Sequence, residues 1–227
     1  MKILALETAT EACSAALLID SEVDERFQIT PREHSQFILP MVDELMHQAG
    51  MSVSQLDAIA FGRGPGSFTG VRLAAAVTQG IAFAADLPVL PVSTLAAMAE
   101  DAFRKNTVDC VFTAIDARMK EIYWAVFTRQ NTVLVENQKE SVLAPECVEF
   151  IGNDKGIGVG SGWTTYHHIL TEKLSSNLTG ITSDCFPHAA SVARLGAKLL
   201  QADGAVLSQQ AIPLYLRNNV THRSGRQ

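Results

Sequence analysis

No lysine occurs between Lys2 and Lys105, no two cysteines stand close together, and no two histidines are spaced four residues apart. Each gap removes a class of chemistry. A nucleoside-triphosphate loop needs glycine, four residues, then Gly-Lys-Ser/Thr, and the first hundred residues have no lysine for one. Cys13, Cys110, Cys147 and Cys185 form no Cys-x-x-Cys pair, so zinc and dithiol motifs are unsupported and buried free thiols in a reducing compartment are expected. His34, His47, His167, His168, His188 and His222 supply no two-histidine helical face, which argues against a metalloprotease and leaves no metal site to assign. Ser67 follows Gly-Pro-Gly and lacks the Gly-x-Ser-x-Gly elbow of a serine hydrolase. A net charge of −6 argues against an autonomous nucleic-acid binder, whose affinity depends on a concentrated basic surface. The apolar run 73–85 is short of the roughly 20 residues of a membrane span and is interrupted by Thr78 and Gln79. Glu7 and Glu11 break the apolar opening that a signal peptide would need, so the cytoplasm is the expected compartment.

What is present is an ordinary globular composition, 47% hydrophobic over 227 residues, enough for one domain or two small ones. Residues 2–6, 13–19 and 23–30 read as a three-strand meander, and a helix capped by Ser35 runs to about Gln48 with Pro40 near its start. A strand over 56–61, a helix over 67–85, a short strand at Val89-Leu90 and a helix from about Ser93 follow. From Asp109 the pattern restarts with strands at 110–115, 122–128 and 132–136. A short helix after Pro145, a strand at 157–159 and a helix over 187–201 complete a looser copy.

Between strand and helix lies Gly62-Arg63-Gly64-Pro65-Gly66-Ser67-Phe68-Thr69-Gly70-Val71-Arg72, which packs four glycines and a proline into one turn. Glycine lets another chain or a ligand approach the backbone, and amides opening a helix can cradle an anion. The dinucleotide fingerprint fails here: its third glycine falls on Ser67 in one register and on Thr69 in the other. Neither standard phosphate loop is therefore present, and a tight strand-to-helix turn that holds no ligand is the competing reading.

An acidic residue ends the first strand of each half, Glu7 and then Asp116. Two such halves point, on fold-level analogy, to an α/β protein with a duplicated ribonuclease-H-like fold, the ASKHA architecture of actin, Hsp70 and sugar kinases. The lobes would span residues 1–105 and 106–227, with the tail from about residue 212 packing back on the first. Nucleotide would then sit beside Glu7, Thr8, Thr10 and Asp116. Ala9 stands where a glycine would admit a phosphate, so these residues mark a degenerate cleft or simple turn caps, and no catalytic residue or cofactor is expected.

The helix over 67–85 carries Gly70, Ala74, Thr78 and Ala82 at four-residue intervals, and Leu73, Val77, Ile81 and Phe83 make the rest of it apolar. A helix apolar all round must be covered on every side. Either a partner presses into the small-residue groove or the second half of the chain covers it.

Ile3-Leu4-Ala5-Leu6-Glu7-Thr8-Ala9-Thr10, Arg32-Glu33-His34-Ser35, Gly64 to Arg72, Ala114-Ile115-Asp116-Ala117-Arg118-Met119 and Pro213-Leu214-Tyr215-Leu216-Arg217 together resemble the TsaB (YeaZ) family, from Met1 to about Val220. The resemblance implies a non-catalytic subunit needed for threonylcarbamoylation of adenosine 37 in tRNAs that read codons beginning with adenine. It implies a heterodimer with the transferase TsaD, the ATPase TsaE joining that pair, a homodimer when TsaD is absent, and tRNA met only indirectly. The heterodimer helices map to about 35–48 and 68–85, which places His34, Phe37, Met41 and Leu45 at the partner face, with Gly70, Arg72, Ala74, Val77, Thr78, Ile81 and Ala82 on the second helix. The family usually has aspartate where this chain has Glu7, and Ile-Gly where it has Leu73-Ala74. The alternative functions are a stand-alone ATP-dependent kinase of the ASKHA fold and a metallopeptidase.

Overall fold

Both faces of the first strand are buried, which dictates the layering of the whole protein. Ile3 and Ala5 face one way with Ala16 and Leu18, while Leu4 and Leu6 face the other with Ala15 and Leu17. Central strands covered on both sides read as near-continuous apolar runs, as these do. The computed structural model describes residues 1–131 and 133–217; Thr132, Val220 and His222 lie outside the described residues.

Strands β1 (Lys2–Glu7), β2 (Ala12–Ile19), β3 (Glu22–Ile29), β4 (Ala58–Gly62) and β5 (Val89–Val92) form one sheet in the order β3-β2-β1-β4-β5. β1 runs antiparallel to β2 and parallel to β4. Strands β6 (Cys110–Asp116), β7 (Ile122–Gln130), β8 (Val133–Leu143), β9 (Gly156–Val159) and β10 (Leu178–Thr182) form the second, in the order β8-β7-β6-β9-β10. β6 is antiparallel to β7 and parallel to β9, so the second sheet repeats the first strand for strand. This is the duplicated ribonuclease-H-like α/β fold.

Helices α1 (His34–Gln48) and α2 (Phe68–Ala85) cover the outer face of the first sheet. Helices α4 (Ser161–Thr165) and α5 (His167–Lys173) cover the outer face of the second, where Trp163 is wholly buried and donates Nε1–H to the Phe112 carbonyl at 2.8 Å. The layer between the sheets is exchanged. Helix α6 (Ala189–Gln201), from the end of the chain, packs through Val192, Ala193 and Leu195 on the first sheet; Gly196 brings it close enough that an added Cβ would lie 2.8 Å from Ala60 Cβ. Helix α3 (Thr94–Lys105), from the first half, packs through Leu95, Met98, Ala99 and Phe103 on the second. Each half therefore completes the core of the other.

Three details depart from the sequence-based reading. α1 starts at His34, and its N-cap is Glu33, without a side-chain bond, rather than Ser35. The segment after Pro145 is a single 3-10 turn, Pro145–Cys147. β8 extends to Leu143, and β10, α4 and α5 were not expected.

Candidate functional site

The glycine turn is filled by the chain itself. Ser67 caps α2, its Oγ accepting the Gly70 amide at 3.1 Å. Gly64 has φ 99, a left-handed conformation that glycine alone adopts readily. The other glycines make room for the turn after β1. A Cβ on Gly62 would collide with the Glu7 carboxylate, one on Gly66 with the Ala9 carbonyl, and one on Gly70 with the Thr8 carbonyl. Hydrogen bonds fix the same register: Ser67 N–H donates to the Ala9 carbonyl at 2.7 Å, and Thr8 Oγ1 donates to the Gly70 carbonyl at 2.7 Å. The seat that a phosphate cradle would offer an anion is occupied by backbone carbonyls, which repel one.

Glu7 lies at the bottom of this packing, wholly buried. Its carboxylate accepts the Ala9 amide at 2.6 Å and the Thr94 hydroxyl, at the start of α3, at 3.0 Å. Burial outweighs these bonds and pushes its pKa up to about 7. Asp116 is bound to its own turn, accepting the Arg118 amide at 2.8 Å and the Arg118 guanidinium at 3.1 Å. Glu7 and Asp116 are thus each engaged locally rather than forming an open carboxylate pair. Thr10 gives its carbonyl to His34 Nε2 at 2.9 Å. Glu11 and Arg118 approach to 3.7 Å and join the two turns across the cleft. Among the described residues no three His, Cys, Asp or Glu side chains cluster as metal ligands. Burial raises the pKa of Cys13 to about 11 and of Cys110 and Cys185 to about 12, which keeps these thiols protonated and poorly nucleophilic.

A strap from the end of the chain closes the site from above. Ala211 is buried with Ala75 and Ala82, and its carbonyl accepts Gln79 Nε2 at 2.9 Å. Leu214 N–H donates to the Arg63 carbonyl at 2.8 Å, and Arg217 bonds to Glu121 and to the Ala117 carbonyl in the second lobe. Arg63 also pairs at 3.2 Å with Glu140 of β8, which bonds in turn to Ser93, the cap of α3.

The small-residue stripe of α2 is core, which corrects the expected groove. Gly70, Ala74, Thr78 and Ala82 face inward, Ala74 and Ala82 against Ile59, Phe61 and Val89. The physical reason is the narrow gap between helix and sheet, into which only small side chains fit. α2 has the length and composition of a marginal membrane span, with mean hydropathy 1.3, but this face is packed on the sheet. Met41 and Leu45 are buried on the inner face of α1, whereas Phe37, Val77 and Ile81 are half-buried around the same cluster, and His34 is half-buried at the head of α1. Of the second-helix residues that the resemblance assigned to the partner face, Arg72 alone is exposed; it lies 3.4 Å over the Phe68 ring and donates Nε–H to Tyr215 at 2.8 Å. The open face of α2 consists of Phe68, Thr69, Arg72, Ala76, Gly80, Phe83 and Ala84, with Phe83 72% and Phe68 54% exposed. A helix that is apolar around most of its circumference has too little contrast in polarity to tell these faces apart. The only available signal was size, since the large Phe68 and Phe83 cannot enter the narrow gap.

Comparison with known proteins places these features in a group. A family model described as "TsaD: tRNA N6-adenosine threonylcarbamoyltransferase" matches residues 28–224. The tRNA threonylcarbamoyladenosine biosynthesis protein TsaB of Escherichia coli is 42% identical across 97% of this chain and 96% of its own length. Its counterpart in Haemophilus influenzae is 41% identical across 97% and 95%. The solved structure of YeaZ from Pseudomonas aeruginosa superposes with a TM-score of 0.88 at 41% identity, covering 95% of this chain and 99% of that one.

Proposed function

The chain belongs to the TsaB (YeaZ) family of tRNA threonylcarbamoyladenosine biosynthesis proteins, and from that premise we propose that it is a non-catalytic subunit that binds and activates a TsaD-type transferase. The observation that carries this reading is the filled glycine turn beside an open α2. The space left by the glycines of the turn is filled by Glu7, Thr8 and Ala9 rather than left open to a ligand, and the helix launched from it presents Phe68, Ala76, Gly80 and Phe83 outward. Exposed aromatic side chains on a surface poor in charge are the usual anchors of protein interfaces. Glu7 in the core and Asp116 on its own turn weigh against the kinase reading.

In this assembly the amino-lobe helices α1 and α2 meet the TsaD-type subunit, TsaE joins the pair, and tRNA is held by the complex in the cytoplasm. The same face pairs two copies of the chain when the transferase is absent. Reconstituted transfer tests the role: the chain alone leaves tRNA unmodified, and adding it to the TsaD-type subunit with TsaE and threonylcarbamoyl-adenylate restores modification. Transfer by the chain alone, or full transfer without it, contradicts the proposal.

A further inference from the structure

We propose that Glu7 is a positioning residue for α2: its buried carboxylate sets the turn on which the first turn of that helix is seated. The connection runs through three bonds. Glu7 Oε1 accepts the Ala9 amide, the Ala9 carbonyl accepts Ser67 N–H, and Ser67 Oγ accepts the Gly70 amide. Thr8, between them, ties its hydroxyl to the Gly70 carbonyl, so two adjacent residues of the turn grip the first turn of α2 from one side. The other carboxylate oxygen accepts Thr94 Oγ1 and anchors the same turn to α3. Gly62 leaves the space the carboxylate fills.

A simple core position does not explain this side chain. Burial opposes its charge, as its raised pKa records, and an apolar residue of similar volume would avoid that cost. What an apolar residue lacks is an acceptor for Ala9 and Thr94. The prediction is therefore about hydrogen-bond partners rather than volume or charge: glutamine keeps an acceptor for Ala9 and bonds Thr94 Oγ1 in the reverse direction through its amide, while alanine supplies neither.

The consequence for function rests on the docking reading above, because α2 is the helix that meets the partner there. Amide hydrogen exchange on the full chain tests the positioning without a partner. In Glu7→Ala the amides of Ser67 and Gly70 exchange at least tenfold faster relative to those of α6, and Glu7→Gln restores wild-type protection. Unchanged protection in folded Glu7→Ala, or failure of Glu7→Gln to restore it, overturns the proposal. If Glu7→Ala does not fold, Thr94→Val removes one of the two bonds, and a two- to fivefold rise at the same amides is expected; no rise overturns it. Affinity for the TsaD-type subunit follows the same order, at least fivefold weaker in Glu7→Ala and unchanged in Glu7→Gln. A wild-type chain that does not bind that subunit ends the docking reading but leaves the exchange result to judge Glu7.

Discussion

Gly70 and Thr8, far apart in the chain, are held by one hydrogen bond and one close approach: Thr8 Oγ1 donates to the Gly70 carbonyl, and the Thr8 carbonyl lies where a Gly70 side chain would begin. Gly70→Ala must therefore displace backbone. It is expected to destabilise the protein by about 1–3 kcal/mol in denaturant unfolding. Gly80, on the same helix, has nothing within 4 Å of a built Cβ. Gly80→Ala should stabilise by up to about 1 kcal/mol through helix propensity. Equal effects at the two positions would show that the turn does not grip α2.

Glu7 makes stability depend on pH in a definite sense. Its carboxyl titrates near 4.5 when unfolded and at about 7 in the fold, because burial disfavours the charged form. Below pH 4.5 the group is neutral in both states and has no effect. Between pH 4.5 and 7 the unfolded chain ionises first, so this group lowers stability progressively, by ~3 kcal/mol in full, and the loss is complete above pH 7. Glu7→Gln stays neutral, so it should be more stable than wild type at pH 8 and close to it at pH 4.5. A difference between the two proteins that does not change with pH contradicts this.

Trp163 is the largest wholly buried side chain, lying over Gly158 and bonded to the Phe112 carbonyl. Trp163→Ala should cost about 3–5 kcal/mol in denaturant unfolding, since it leaves a cavity and an unpaired carbonyl. A loss under 1 kcal/mol would mean that α4 packs on the second sheet without it.

The sequence disclosed much of this architecture, for reasons that can be named residue by residue. β1, β2 and β6 are continuous apolar runs ended by turn residues, and the acidic ends Glu7 and Asp116 exposed the duplication. β10 was hidden because Leu178–Thr182 is a short, half-exposed edge strand with a glycine inside it. β8 was cut short because its second half, from Asn137 to Ser141, is a polar edge. α4 and α5 are too short to show a helical period. The glycine turn matched neither standard phosphate motif, but that its space belongs to Glu7, Thr8 and Ala9 is a long-range contact that no local pattern carries. The inward turn of Ala74 and Ala82 was lost for the same reason, because burial between helix and sheet is decided by the gap and not by the helix alone.

That inward turn changes which substitutions report on docking. Ala74→Arg places a charge between α2 and the sheet, beside Ile59 and Phe61, and is expected to unfold the protein in a thermal melt. A folded Ala74→Arg chain would put the stripe back on the surface.

The most direct measurement is calorimetric titration of the TsaD-type subunit with wild type and with Phe83→Glu, whose position on the open face of α2 is 72% exposed. The account predicts that wild type binds, that Phe83→Glu binds at least tenfold more weakly, and that both melt at the same temperature. Equal affinity of the two proteins, with both folded, would contradict the assignment of that face to the partner.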